Sequence, residues 1–268
     1  MTRASGVIRK MFTSHNETTN AVSYQLNLDE EPIVALNEFV GQEISIQFAG
    51  GIYCIHCGDE IPKTFNSGYC YPCFTTLAEA DMCIMKPEQC HFHEGTCRDE
   101  AFGERHCFQQ HTLYLARSSG IKVGITRSGQ QKTRWMDQGA IEAREIGFFP
   151  DRLSSGLAEV KVAAEMSDKT NWRKMLKNEV TDADFEPYVE SAFQALSDEE
   201  LDFVLDDGQT FHFEYPVERY PEKVTSKKLD KHPVFSEVLR GIKGQYLIMD
   251  TFVINLRAHA GYHIVFEA

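Results

Sequence analysis

Eight cysteines fall between Cys54 and Cys107, and the rest of the 268-residue chain has none. That stretch is poor in apolar periodicity and cannot readily build a core from its own side chains, so the thiols must supply what closes it. The first residues, MTRASGVIRKMFTSHNETTN, have no apolar centre of the kind a secretory signal needs. No apolar run approaches the roughly 20 residues of a membrane span. The chain therefore reads as cytoplasmic, a reducing compartment in which clustered thiols point to metal rather than to disulfides.

The first four cysteines read CIHC, twelve residues, then CYPC: Cys54, Cys57, Cys70 and Cys73. Two C-x-x-C knuckles at this separation let four thiolates converge tetrahedrally on Zn²⁺, with Gly58 and Gly68 turning the chain. The second four, Cys83, Cys90, Cys97 and Cys107, are spaced more widely, as in loops wrapped around an ion. They are expected to hold a second zinc. His91, His93, His106 and His111 lie among them, and a histidine can replace a thiol while the spare cysteine packs as a small hydrophobe. Both sites would be structural, because four protein ligands leave no open position for water or substrate.

The remaining chain predicts an α+β protein. YQLNL alternates, and ISIQF followed by GIYC predicts two strands about a turn at Gly50-Gly51, leading into a zinc ribbon. HTLYLAR, SSG and IKVGIT predict a hairpin, RSGQQKTRWMDQGA a helix ending near Gly139, and IEAREIGFF a third strand. Residues 155–178 fit a helix with Leu157, Val160, Ala164, Trp172, Met175 and Leu176 inward. The acidic segment after it also has helical periodicity, with Phe185, Tyr188, Phe193, Leu196, Leu201 and Val204 inward. FHFEYPV, QYLIMDTFVINL and YHIVFE return to strands, a pattern compatible with a small barrel. The expected division is 1–110 (β-rich lead-in and zinc region), 111–178 (a small α/β domain), 179–209 (acidic helical segment) and 210–268 (a β-rich C-terminal domain).

Tyr114 stands in the first strand of the hairpin, Lys122 to Thr126 in the second, Arg134 on the following helix and Glu159 on the next. This order of aromatic hydroxyl, glycine-ended strand, helical arginine and helical glutamate resembles the GIY-YIG nuclease superfamily, particularly the branch whose second strand reads like KIGIT. That resemblance covers about residues 111–178. The longer run CHFHEGTC, CFQQHTLYLARSSGIKVGITR and RWMDQGA, with GIKGQYL near the end, resembles an uncharacterised bacterial family defined as domain of unknown function 2797. The nuclease resemblance implies that Glu159 holds one Mg²⁺ or Mn²⁺, with Glu165 the lesser candidate. It implies that Arg134 stabilises charge on a scissile phosphate and that Tyr114 is the base or its support. The superfamily's second tyrosine would fall near Ile121 or Lys122, and neither is one. Lys122 can meet phosphate as a point charge, but a protonated lysine is a poor base.

Net charge is −13, which by itself argues against a nucleic-acid partner. Eleven acids and no Lys or Arg lie between Glu179 and Asp207, however, and without those eleven charges the chain carries only −2. Between Thr112 and Met136 there are five basic residues, Arg117, Lys122, Arg127, Lys132 and Arg134, and no acid. Such groups contact phosphates, and Arg117, Lys122, Arg127 and Lys132 are the expected nucleic-acid contacts. Arg134 can instead pair with Asp137. Lys223, Lys227, Lys228, Lys231, Arg240, Lys243 and Arg257 stand among Tyr246, Phe252, Tyr262 and His263, a mixture compatible with single-stranded nucleic acid.

Three functions follow as alternatives. The chain is a metal-dependent phosphodiesterase on DNA or RNA, or a nucleic-acid- or ribosome-binding module without turnover, or a zinc-stapled scaffold that meets a protein partner through its acidic 179–207 face.

Overall fold

The computed structural model describes residues 2–29, 34–166, 171–197, 204–205 and 209–268. Its architecture is mixed α+β. Strands β1 (Arg3–Val7), β2 (Phe12–His15), β3 (Val22–Leu26), β4 (Val34–Ala35) and β5 (Glu43–Ile52) open the chain. Short helices α1 (Tyr71–Thr76), α2 (Met82–Met85) and α3 (Glu100–His106) cross the cysteine-bearing stretch. The middle runs β6 (His111–Arg117), β7 (Ile121–Arg127), α4 (Gln131–Asp137), β8 (Glu142–Phe149), α5 (Arg152–Glu165), α6 (Trp172–Leu176), α7 (Glu186–Ser197), β9 (Val204–Leu205) and β10 (Thr210–His212). β11 (Val234–Lys243), β12 (Tyr246–Met249), β13 (Val253–Asn255) and β14 (Tyr262–Glu267) close it. Among the described residues no helix is long and apolar enough to cross a membrane.

Six strands form one antiparallel sheet in the order β1-β14-β5-β11-β12-β13, an open path and not a closed barrel. β1 and β5 thus share a layer with the C-terminal strands, Ile46 standing opposite both Phe235 and Phe266, while β2, β3 and β4 form a separate three-stranded sheet. Alternation explains the buried face, since Tyr262, Ile264 and Phe266 of β14 and Ile44 and Ile46 of β5 point into one core. Gly50 and Gly51 do not turn the chain between two strands, as the sequence predicts. They lie inside β5, whose pairing with β14 shifts register between Tyr262 and Ile264. Gly50 takes φ +97°, and a Cβ at Gly51 would stand 2.6 Å from the Tyr53 ring. A glycine pair absorbs this bulge without turning the strand.

The second sheet, β10-β8-β6-β7 with β9 on β8, carries the hairpin. β6 is buried on both faces. Leu113 and Leu115 enter a core with Ala158 and Val162 of α5 and with Val189, Ala192 and Leu196 of α7. Tyr114 and Ala116 face Trp135 and the core beneath the large sheet. β10, expected to open the C-terminal β-rich region, pairs with β8.

The helix predicted over 155–178 is two helices: Met166 and Asn171 are extended, and Asn171 caps α6 by accepting from the Arg173 N–H at 2.9 Å. Leu157 and Val160 face outward, while Ser155, Gly156, Ala158 and Val162 are buried. The reason is close approach. A Cβ at Gly156 would stand 2.5 Å from backbone atoms of Pro87 and Glu88, so small residues seat α5 on the turn at 87–89. Val204 belongs to a strand and not to a helix. Leu201 and six of the eleven acids, Asp198, Glu199, Glu200, Asp202, Asp206 and Asp207, lie outside the described residues.

Candidate metal centre and basic cleft

Donor atoms of Cys54, Cys57, Cys70 and Cys73 all lie within 4.8 Å of one another. The knuckle turns hold them there. Cys54 accepts at its carbonyl from Gly58 N–H (3.0 Å), and Ile55 N–H donates to Gly68 O (2.9 Å). Asn66, Ser67 and Gly68 all have positive φ, which reverses the chain before Cys70 caps α1. Backbone N–H groups already point at sulfur, with Cys70 N–H 3.2 Å from Cys54 Sγ and Cys73 N–H 3.4 Å from Cys70 Sγ. Burial raises the Cys54 thiol, but the N–H groups of Cys57, Cys70 and His56 outweigh it and bring it down to about 6. The Cys70 side chain and burial push Cys73 up. Four crowded sulfurs therefore lose their protons together only against a cation, and a tetrahedral Zn²⁺ fits this donor set.

The second set of cysteines does not form the expected four-thiolate group. Cys83, Cys90 and Cys107 are buried together against Phe92, Phe102 and Leu153. Cys97 is not part of that buried group, and its Sγ stands 3.2 Å from Asp99 O. The group that does converge within 4.8 Å is Asp81, Cys83 and His91. Asp81 also takes Arg98 Nε at 2.7 Å, and burial pushes the Cys83 thiol up to about 12. These three residues can hold a metal ion, with a mixed donor set in place of four sulfurs.

A cleft of about 730 Å³ opens between the first cysteine knuckles, the second cysteine region, the hairpin sheet and the large sheet. Six cationic side chains line it, Arg9, Lys10, Arg127, Arg134, Arg152 and Arg257, against the acids Glu79, Asp137 and Glu159. Arg9, Lys10 and Arg152 carry no local motif, since they meet only through the tertiary fold. Arg9 pairs with Asp29 and Lys10 with Asp137. Asp137 also accepts from Gln245 Nε2 at 2.8 Å, so it is not the partner of Arg134.

The fold brings Tyr114, Arg134 and Glu159 together. Tyr114 stands opposite Gly124 across the hairpin, and its phenol covers that glycine. Tyr114 Oη accepts from Gln138 Nε2 at 3.1 Å, and the Arg134 guanidinium is near enough to oppose the effect of burial on the phenol. The ring is fully buried, and burial raises its pKa, which suits a post for Arg134 better than a base. Arg134 itself is exposed in the cleft. Glu159 sits mid-helix on α5 and is half-buried. Burial raises its carboxyl, the nearby Arg134 and Lys122 oppose that, and Glu88, brought close by the Gly156 contact, adds to it. Its hard oxygen beside an arginine can take a divalent cation.

Of the expected basic contacts only Arg127 lines the cleft. Arg117 pairs with Glu142, lies 5.7 Å from the Phe185 ring centroid and donates to Ala183 O at 3.1 Å. Lys132 pairs with Glu17 and covers Phe211, and Lys122 is engaged within the protein. Much of the mixed basic and aromatic face expected at the C-terminus is taken up within the protein, although Lys227 does cover Phe252. Phe252 is core, Tyr246 stacks on Trp172, Arg240 pairs with Glu218 and Asp250, and Lys243 is buried with Nζ 2.9 Å from Asn178 Oδ1. Arg257 alone reaches the cleft.

The family model described as "Protein of unknown function (DUF2797)" matches residues 41–264. No curated protein and no solved structure matches the chain. The chain belongs to the DUF2797 family.

Proposed function

We propose that this DUF2797 protein grips a nucleic-acid strand in the basic cleft, on a GIY-YIG-like central unit stapled by zinc. The observation that carries the reading is the convergence of six cationic side chains, from the N-terminus, the hairpin, α4, α5 and the last turn before β14, in a chain of net charge −13. Phosphates are the ligand that rewards such a gathering. The exposed Arg134, free of Asp137, favours it over a scaffold that works through the acidic segment.

A second reading adds phosphodiester hydrolysis. Glu159 would hold one Mg²⁺ or Mn²⁺, and Arg134 would steady the scissile phosphate, with Tyr114 as its support. The juxtaposition of these three side chains favours that reading. The test is incubation of zinc-loaded protein with labelled DNA and RNA, with and without Mg²⁺ or Mn²⁺. A nuclease loses turnover in Glu159→Gln while keeping affinity. Arg134→Ala loses affinity as well as about 10²–10³ in rate, the usual loss for one electrostatic contact to a transition state. Binding without cleavage in the wild type assigns the protein to the binding module. Failure to bind any strand rejects both readings.

A further inference from the structure

His111, at the start of β6, is 1% exposed and lines the cleft. Its Nδ1 stands 2.6 Å from Gln109 O. A carbonyl oxygen only accepts, so Nδ1 carries the hydrogen and Nε2 presents a bare lone pair. Nε2 is buried and has no hydrogen-bond partner among the described residues. Buried acceptors are rarely left so.

Its surroundings define what would satisfy it. Arg127 stands directly opposite His111 across the hairpin, and Arg152 opens α5 beside it. Arg152 Nε is likewise buried without a partner. The nearby acid, Asp151, is occupied in accepting from Ser154 N–H at 2.8 Å. Two guanidiniums take phosphate oxygens, but an ionised phosphodiester has no hydrogen to give to Nε2. A ligand that satisfies Nε2 while its phosphate meets the two arginines therefore carries a hydrogen-bond donor next to that phosphate. In a nucleic-acid strand that group is the ribose 2′-hydroxyl, which distinguishes RNA from DNA.

We propose that His111 Nε2 accepts a hydrogen bond from the 2′-hydroxyl of an RNA strand whose phosphates lie against Arg127 and Arg152. The proposal rests on the nucleic-acid reading of the cleft and narrows it to RNA. Nε2 is buried, so engagement by the sugar requires the Arg127 and Arg152 side chains to shift outward onto the phosphates. The low basicity of His111, held down to about 4 chiefly by burial, keeps the ring neutral and Nε2 an acceptor at neutral pH.

The experiment is fluorescence anisotropy with strands of one sequence made as RNA, DNA, 2′-O-methyl RNA and 5′-phosphorylated DNA. RNA should bind about tenfold tighter than DNA, the worth of one buried hydrogen bond with its partner lost otherwise. The 2′-O-methyl strand should fall to the DNA level, since it has no hydrogen to donate. In His111→Leu the ratio of RNA to DNA affinity should collapse towards one. Should that variant not fold, the 2′-O-methyl comparison on wild type decides alone. Equal affinity for RNA and DNA, or for RNA and its 2′-O-methyl form, overturns the proposal and leaves the binding reading standing. Phosphorylated DNA matching RNA also overturns it, by assigning the hydroxyl to a terminal phosphate. Absence of binding to every strand removes both.

Discussion

Gly124→Ala probes the packing that sets Arg134 in place. A Cβ at position 124 would lie 2.6 Å from Tyr114 Oη and 2.7 Å from its Cζ, well inside the 3.4–4 Å of ordinary contact. The phenol cannot retreat. Its ring is fully buried, lies edge-on to Trp135 at 5.7 Å, and is held through Oη by Gln138. Overpacking of this kind costs about 1–3 kcal/mol, against which alanine in a strand recovers about 0.5–1 kcal/mol over glycine. The net expectation is a loss of up to about 2.5 kcal/mol. In a Tyr114→Leu background the clash is gone, and the same substitution should become neutral or stabilising by about 0.5 kcal/mol. Urea midpoints at constant m-value for the four proteins of this cycle give the coupling directly. An equal cost for Gly124→Ala in both backgrounds would refute the claim that the glycine exists to admit the tyrosine.

Zinc at the first knuckle pair should be inseparable from folding. Cys54→Ser, or a strong chelator, should remove one zinc by elemental analysis and lower the thermal midpoint, because ligand binding there is folding free energy. Acid should destabilise the protein through His111: unfolded, the ring takes its proton near 6.5, whereas burial holds it to about 4 in the fold. Stability present above pH 6.5 is therefore lost as pH falls to about 4, by about 3 kcal/mol at 1.36 kcal/mol per unit, and His111→Leu should flatten that part of the curve measured by urea unfolding. In binding assays Arg127→Glu should weaken nucleic-acid affinity more than Lys132→Glu, since Lys132 is held by Glu17 outside the cleft. Equal effects would move the binding face to the outer edge of the hairpin sheet.

Local spacing carried the parts of this account that are local. The C-x-x-C pairs fix four sulfurs at one point because each knuckle closes within a few residues. The hairpin was legible from β-branched runs around Ser118-Ser119-Gly120, and its register puts Gly124 opposite Tyr114. Apolar periodicity failed on α5, because the face that docks closest is made of Ser155, Gly156 and Ala158, too small to register as apolar beside Leu157 and Val160. It failed also for Lys243, a cation that sits 5.3 Å from the Tyr215 ring centroid and binds Asn178 inside the protein. The second cysteine group misled for the opposite reason. Its wide spacing sets no geometry, and Asp81 and His91 approach Cys83 where sulfurs were expected. Arg9, Lys10, Arg152 and Arg257 come from segments far apart in sequence, so the cleft exists only in the tertiary fold.

The salt dependence of single-strand binding tests the central claim most directly. Arg9 and Lys10 are neutralised by Asp29 and Asp137, which leaves Arg127, Arg134, Arg152 and Arg257 with no ion pair among the described residues. Four phosphate contacts predict a slope of log K against log[salt] of about −3, from about −0.7 per contact for single strands. Charge reversal at Arg127 and Arg152 together should weaken binding and make that slope shallower by about one to two. Wild-type protein that shows no salt-sensitive binding, or a double variant with unchanged affinity and slope, would contradict the assignment of the cleft to nucleic acid.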